Sequence, residues 1–361
     1  MKPSPELSHH VPEVAALTGI RGVAALYVVF YHYFSPVELR SRLLSVLGHG
    51  YLAVDLFFIL SGFIMALNYA EMFSGGVSFS NFRKFLLRRF ARIYPLYLLT
   101  LLIATTLIAT GRLDFQGKSL MQTFVPNLLM IQNWGNWESI ETPAWSISTE
   151  WFAYLFFPFL IARIAGTSRT WIGILFACSF GTLGWLTLYS HHQFDPLKLL
   201  DQPHGPASIL RCLSEFMLGM LAFKVQSARR GSFARWTNAL SIISVIIIFV
   251  LLCIPKSDLA VVMIFPVLIV ALYAGDSIIN RILGSRLFEL LGLLSFAVYL
   301  LHYTLVPFLG ALDAHFREAG RSHAHTWAVA IVLPILMLGS AVIYYCFEVP
   351  ARKGVRLLFG D

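Results

Sequence analysis

The sequence has few charged residues. Asp, Glu, Lys and Arg make up only 13% of its 361 residues, against about a quarter in an ordinary soluble domain, while 57% are hydrophobic. This balance excludes an ordinary soluble domain. The formal net charge of +8 therefore indicates membrane topology or an anionic ligand rather than nucleic-acid binding.

Cysteine motifs and targeting signals are also lacking. The four cysteines lie scattered in apolar segments, with no Cys-x-x-Cys or Cys/His spacing, so neither a disulfide framework nor a metal site is predicted. The N-terminus has no short apolar core followed by a small-residue cleavage site, so no removable signal peptide is expected. No soluble C-terminal domain and no internal repeat are expected, so residues 1–361 are interpreted as a single domain.

Apolar stretches of about 20 residues are present throughout, and this is the length that a bilayer core requires. They predict an all-α, polytopic transmembrane bundle. One set of connecting segments carries about 17 Lys and Arg residues against about 9 in the other set, so the positive-inside rule predicts that both termini are cytoplasmic. The ten predicted spans cover 14–34, 47–70, 87–108, 145–165, 171–190, 207–225, 237–254, 258–275, 288–310 and 326–347.

The first span, Leu17–Phe34, carries two polar residues that stand out, Arg21 and His32. Eleven positions separate them, which is three helical turns and a rise of about 16 Å, so both face the same way. A cation and a titratable base on a membrane helix normally face a bundle interior or a wet cavity, and they indicate function by default. The alternative is that Arg21 extends to the inner headgroups and His32 caps the outer end.

A cluster of arginines precedes the third span, in the segment RKFLLRRFARIYPLY. Arg88, Arg89 and Arg92 could be a topology signal alone. They could also form a phosphate site, because guanidinium groups match phosphate geometry and residues at i and i+3 project together, as Arg89 and Arg92 do.

The second span carries an acid and a serine. Asp55, inside DLFFILSGF, could pair with a basic group or cap the helix. Ser61 and Gly62 form a small-residue step that favours a close helix contact. A catalytic role for Ser61 is disfavoured, because nothing like Gly-x-Ser-x-Gly surrounds it.

The fourth span begins PAWSISTEWFAYLFFP and places Glu150 among apolar and aromatic groups. A lone carboxylate there is costly unless it is paired or protonated. Glu150 could orient His32, pair with Arg21 or bind an acceptor hydroxyl. A purely structural ion pair is the competing interpretation.

Two further features lie on the outer half of the predicted bundle. The long connection 109–144 and the start of span four hold Trp134, Trp137 and Trp145, which we interpret mainly as interfacial belt residues, with a sugar-stacking site as the alternative. In span nine, Ser295, Tyr299 and His302 fall on one helical face that should point into the bundle.

Together these stretches resemble the acyltransferase-3 family of integral membrane acyltransferases, which acylate hydroxyls on bacterial surface polysaccharides, lipopolysaccharide, Nod factors and some macrolides. The resemblance rests on IRGVAALYVVFYH, DLFFILSGF, RRFARIYPLY, PAWSISTEWFAY and LSFAVYLLH, in the family's order over nearly the whole chain. The family's motif residues fall on Arg21 and His32, on Arg89 and Arg92, on Trp145, Ser146 and Glu150, and on Tyr299 and His302.

The resemblance implies a membrane O-acyltransferase in the bacterial inner membrane. Acyl-CoA, with acetyl as the default acyl group, would be the co-substrate, held through its phosphates by Arg89 and Arg92 beside Arg88. His32 would be the general base or a transient acyl carrier, since the unperturbed pKa of histidine of about 6.5 suits either role. The acceptor would be a carbohydrate or glycolipid.

Two alternatives remain open at this stage. One is acylation of a secreted small molecule such as a macrolide. The other is a proton-coupled transporter in which Arg21, His32, Asp55 and Glu150 form a proton relay, since intramembrane ionisable groups serve both classes of protein.

Overall fold

The computed structural model describes residues 12–34, 46–115, 117, 119–135, 137–193, 200, 205–228 and 234–358. Every regular element within these ranges is helical, which confirms the predicted all-α class. The helices are α1 (Pro12–Tyr33), α2 (Leu52–Tyr69), α3 (Phe79–Ala109), α4 (Leu120–Leu128), α5 (Trp145–Ala165), α6 (Arg169–Gln193), α7 (Gly205–Ala228), α8 (Ala234–Leu252), α9 (Asp258–Ala274), α10 (Ile278–Leu283), α11 (Arg286–Leu301), α12 (Val306–Glu318), α13 (Ala324–Ile343) and α14 (Val349–Leu358).

Fewer helices than predicted are long and apolar enough to cross a bilayer. Six qualify in the described residues, or seven if the bent pair α11 and α12 counts as one span. The apolar parts of α8 and α9 are only 17 residues long, and α7 carries the charged residues Arg211 and Glu215. The chain therefore has the character of a multi-pass membrane protein, whereas ten spans and cytoplasmic termini stay predictions.

The ninth predicted span is not one straight helix. α11 ends at Leu301, a short 3₁₀ turn covers Tyr303–Leu305, and α12 leaves at an angle of 51°. Pro307, at the start of α12, has no backbone N–H to continue the hydrogen-bond ladder of the preceding turn. The break leaves His302 at the junction of the two helices.

The other boundary difference concerns the third span. α3 begins at Phe79, eight residues before the predicted start, because the Ser78 side chain caps it by accepting the backbone N–H of Asn81 at 3.2 Å. The arginine cluster therefore lies inside a helix, where residues three apart share a face.

Two helix pairs approach closely where a glycine replaces a side chain. α1 packs along α11, where a Cβ added at Gly292 would lie 1.9 Å from the Thr18 carbonyl oxygen. α2 packs along α7, where a Cβ at Gly62 would lie 2.0 Å from the Phe216 carbonyl oxygen. This confirms the close helix contact predicted for the Ser61–Gly62 step.

Gly62→Ala should therefore destabilise the protein by about 1–3 kcal/mol, because the added methyl group must push the two backbones apart. Unfolding in detergent would measure the effect. Gly173→Ala on α6 is the matched control, since a Cβ there meets nothing within 4 Å and alanine favours a helix over glycine. Equal stability of the two variants would contradict the packing argument.

Candidate active site

A cavity of about 170 Å³ lies between α1, α2, α3, α5 and α11. Eight of the residues singled out from the sequence line this cavity: Arg21, Ser61, Arg89, Arg92, Ser146, Glu150, Ser295 and Tyr299. Outside its wall lie other candidates, among them His32, Asp55, Arg88, Trp145 and His302. The cavity gathers polar residues from helices that are otherwise apolar, as expected for ionisable groups that must avoid lipid.

Glu150 lies at the centre of a hydroxyl cluster. Ser61 on α2 donates its hydroxyl to Oε1 of Glu150. The Tyr154 hydroxyl, one turn further along α5, donates to the same oxygen at 2.6 Å and lies 3.2 Å from Ser61 Oγ. Glu150 is thus held by two hydroxyl donors, and these contacts do not support the interpretation that it orients His32 directly.

The arginines of α3 lie at another part of the same wall. Arg89 donates from Nη2 to the Tyr69 hydroxyl at 3.1 Å, and its Cζ lies 5.4 Å from that ring centroid. Arg92 forms an ion pair with Glu348 and lies over the Phe296 ring. Glu348 comes from a π-helical turn, Tyr344–Glu348, a feature that is frequent at functional sites.

His32 forms a ring pair with His302. His302 Nε2 lies 3.1 Å from His32 Nδ1, and the His302 Nδ1 lies 2.6 Å from the Tyr299 carbonyl oxygen. A carbonyl oxygen only accepts, so Nδ1 of His302 carries the hydrogen and, in the neutral ring, Nε2 accepts from His32. His32 Nδ1 is also 3.1 Å from the Val28 carbonyl oxygen, which requires the same tautomer.

This tautomer leaves the lone pair of His32 on Nε2, as a general base requires. The imidazole of His32 is exposed, whereas His302 is fully buried. The Tyr33 hydroxyl donates to the His302 carbonyl oxygen at 2.8 Å and holds the helix junction against α1. His302 is therefore placed to orient the ring of His32.

Tyr299 connects the histidine pair to the cavity. Tyr299 is part of the cavity wall. Its hydroxyl lies 2.7 Å from Ser146 Oγ and donates to the Pro143 carbonyl oxygen at 3.0 Å, while its own carbonyl oxygen accepts from His302 Nδ1. The start of α5 and the end of α11 are thus joined next to the site.

Asp55 pairs with an arginine from another helix, outside the cavity wall. Arg211 on α7 binds it in a bidentate pair, with Nε to Oδ1 at 2.9 Å and Nη2 to Oδ2 at 2.5 Å. Glu215 lies 3.6 Å from Arg211, and all three side chains are buried. The sequence interpretation of Asp55 as half of an ion pair is confirmed, but Arg211 was not singled out.

The belt interpretation is wrong for Trp145, which is 8% exposed and packs beneath Arg211, whose Cζ is 5.6 Å from the ring. Trp134 is anchored by its Nε1–H to the Ser148 carbonyl oxygen at 3.0 Å, whereas Trp137 is 41% exposed. In the same connection between α3 and α5, burial raises the pKa of Glu141 well above its usual range, which favours its neutral form.

The arrangement of these motifs can be compared with known proteins. A family model described as an acyltransferase domain, that of acyltransferase-3, matches residues 14–346. The chain belongs to the acyltransferase-3 family.

Individual relatives agree with this assignment. The chain is 35% identical over 173 residues to acyltransferase MdmB of Streptomyces mycarofaciens, covering 45% of this chain and 43% of the relative. It is 23% identical over 363 residues to O-acetyltransferase OatA of Staphylococcus aureus, covering 93% of this chain and 57% of the relative. A protein from the picA locus of Rhizobium radiobacter, protein 2, is 47% identical over 88 residues, covering 24% of this chain and 40% of the relative.

The chain spans about half the length of these curated relatives. No solved structure matches it.

Within the acyltransferase-3 chain, two residues of the alternative proton relay have hydrogen-bond partners outside the relay. Asp55 is engaged by Arg211, and Glu150 by Ser61 and Tyr154.

Several residues of the site were missed from the sequence because their signals are weak or non-local: Tyr69, Tyr154, Arg211 and Glu348. Tyr154 could have been found from its position four residues after Glu150, which places both on one helical face. Arg211 is a lone cation in an apolar segment, and the presence of Asp55 in another such segment was the available clue.

Proposed function

We propose that the chain is a membrane O-acyltransferase that transfers an acyl group, by default acetyl, from acyl-CoA to a hydroxyl of a cell-surface or exported carbohydrate. The observation that carries the proposal is the continuity of the site. An arginine pair, a carboxylate with hydroxyl partners, and Tyr299 line one cavity, and the Tyr299 backbone holds the histidine pair.

The donor end is assigned to Arg89 and Arg92. Both side chains reach the cavity from one face of α3, and guanidinium groups bind phosphate oxygens through charge-assisted hydrogen bonds. The phosphates of CoA would bind there on the cytoplasmic side, and the pantetheine arm would enter the cavity toward Arg21.

The acceptor end is assigned to the histidine pair. His32 would remove the proton of the acceptor hydroxyl through Nε2, while His302 fixes the orientation of its ring. The exposed position of His32 supports an acceptor that arrives from outside the bundle. The aromatic outer connection, with its exposed Trp137, would present the sugar.

The acceptor has a second candidate. The relative with 35% identity is named only as an acyltransferase, whereas the O-acetyltransferase is 23% identical. Neither name states an acceptor, so a secreted small molecule such as a macrolide stays the alternative to a carbohydrate.

The experiment that tests the function combines two measurements. Purified protein in bacterial-lipid liposomes receives acetyl-CoA, and release of the CoA thiol is followed with a thiol reagent. Mass spectrometry then compares base-labile esters in the envelope carbohydrate and in the medium of bacterial cells with and without the protein. Esters in the envelope support the carbohydrate acceptor, esters in the medium support the small molecule, and no ester with no thiol release contradicts the enzyme.

Arg92→Gln should raise the KM for acyl-CoA about tenfold. A hydrogen bond to a charged group contributes about 1.5–3 kcal/mol, and a loss of about 1.4 kcal/mol lowers the affinity tenfold. Initial rates of thiol release at varied acyl-CoA would measure it. Arg83→Gln is the control, since Arg83 lies on the same helix but is exposed and outside the cavity wall. A KM that is unchanged in Arg92→Gln would remove this arginine from the donor site.

Glu348→Gln should act in the opposite direction. Glu348 forms its ion pair with Arg92 through Oε1. Its other oxygen, Oε2, is buried with no hydrogen-bond partner among the described residues. A carboxylate in this position competes with a phosphate, so the neutral amide should lower the KM for acyl-CoA about fivefold, the lower end of typical coupling between sites. A raised KM would instead mean that Glu348 holds Arg92 in its binding orientation.

A further inference from the structure

Ser61 lines the cavity and contacts Glu150 of α5 rather than packing against α7. Gly62 makes the close backbone contact with Phe216, and Ser61 lies about 100° around the helix from it, on the cavity wall. The side chain is only partly buried. The packing role of this small-residue step therefore belongs to Gly62, and it leaves the serine hydroxyl available for chemistry.

The hydrogen bonds of Ser61 are also unusual for a hydroxyl on an apolar helix. Such hydroxyls commonly donate back to the carbonyl one turn earlier, as Thr105 does to Leu101 at 2.7 Å and Thr182 does to Cys178 at 2.9 Å. Ser61 instead donates to the carboxylate of Glu150, and Tyr154 holds that carboxylate in place. A hydroxyl that donates to an oriented base is the arrangement of an activated nucleophile.

The proposed function gives such a group a role, because the donor phosphates and the acceptor hydroxyl would approach from opposite ends of the site. We propose that Ser61 is a nucleophile that carries the acyl group as a serine ester between the thioester and the acceptor. This inference rests on the proposed acyltransferase function. It assigns Glu150 as the base that activates Ser61.

In the first half-reaction, Ser61 Oγ attacks the thioester carbonyl carbon. The carbon–oxygen bond forms, the carbon–sulfur bond breaks, and the serine proton passes to Glu150. CoA leaves as a thiolate that takes a proton from solvent at the cytoplasmic end. Arg21, which lines the same cavity, provides positive charge for the tetrahedral oxyanion.

In the second half-reaction, the acceptor oxygen attacks the ester carbonyl as His32 removes its proton. The bond from the carbonyl carbon to Ser61 Oγ breaks, and Ser61 recovers a proton from Glu150. His32 then releases its proton to solvent. The sum is one thioester and one alcohol consumed, and one ester and one CoA thiol formed.

The test is isotope exchange without acceptor. Wild-type protein in liposomes is given acetyl-CoA and radiolabelled free CoA, and label entering acetyl-CoA reports a reversible acyl-enzyme. His32→Ala should retain this exchange, because His32 acts only in the second half-reaction. In Ser61→Ala the rate of exchange should fall at least about tenfold. In His32→Ala, peptide mass spectrometry should locate one acetyl group on the Ser61 peptide.

Two further variants keep the result interpretable. Ser61→Cys should still acquire an acetyl group, now as a thioester that neutral hydroxylamine cleaves. If Ser61 had only a structural role, the cysteine at this position would acquire no acetyl group. Ser179→Ala, a buried serine on α6 outside the cavity wall, should exchange normally. Gel filtration shows whether each variant is folded.

Several outcomes overturn the proposal. If Ser61→Ala exchanges normally while His32→Ala does not, the acyl group is carried by His32. If wild type transfers acetyl to an acceptor but shows no exchange and no acyl-Ser61, transfer is direct, and the acyltransferase function stands without the serine ester. If wild type never releases CoA thiol, the acyltransferase function fails, and the serine ester fails with it.

Discussion

Replacing His32 by alanine is expected to lower the rate of acyl transfer to the acceptor by about 10²–10⁴-fold, the contribution typical of a positioned general base. The reason is the tautomer that its neighbours impose. Val28 and His302 both engage Nδ1, so Nε2 carries the lone pair. Ester formation at saturating acyl-CoA, at matched protein level, measures the loss.

Two further variants show whether the lower transfer rate of His32→Ala results from the loss of a general base. His315→Ala removes an exposed histidine of α12 and should leave the rate unchanged. His302→Gln keeps a hydrogen-bonding side chain but not the imidazole, and as a positioning residue it should alter the pH dependence of transfer while leaving the KM for acyl-CoA unchanged. Normal transfer by His32→Ala would exclude His32 as the base.

Most of the polar residues of the cavity wall could be predicted from the sequence, and for the ionisable ones there is one physical reason. Arg21, Arg89 and Glu150 are ionisable residues in apolar helices, and such residues must face the bundle interior. Helical spacing then predicts which of them share a face, and Arg89 and Arg92 do line the cavity together. The positions of these side chains follow from local rules.

The partners of these residues could not be predicted in the same way. Arg211 and Asp55 are 156 positions apart, and their contact depends on how α2 crosses α7. Glu348 lies in a π-helical turn that follows α13, and from there it pairs with Arg92, 256 positions away. Such pairings are set by tertiary packing, and no periodicity in the sequence encodes them.

The bend at His302 is a further feature that hydropathy conceals. The apolar run continues through LLHYTLVP, so the sequence predicts a single span there, whereas the structure turns by 51°. The bend matters for function because the ring of His302 lies at the junction, between the Tyr299 carbonyl oxygen and His32. A straight helix would not end at this position.

Asp55→Ala should cost about 3–5 kcal/mol of stability, because it leaves the buried guanidinium of Arg211 without its bidentate partner. Asp55 and Arg211 have side chains that are 0% and 1% exposed. The fraction of protein that stays monodisperse in detergent on heating, or unfolding in denaturant, would measure the loss. The triple variant Asp55→Leu with Arg211→Met and Glu215→Leu should recover much of it, since all three ionisable groups of the buried cluster are then removed from the interior.

The chain provides a matched control for burial. Asp276 and Arg281 make the same bidentate contact, with Nε to Oδ1 at 3.2 Å and Nη2 to Oδ2 at 3.0 Å, but their side chains are 76% and 69% exposed. Water solvates whichever partner remains at that site, so Asp276→Ala should leave the stability unchanged. If Asp55→Ala were as stable as Asp276→Ala, the cost would not come from desolvation, and the pair of Asp55 and Arg211 would not anchor α2 to α7 beside the cavity.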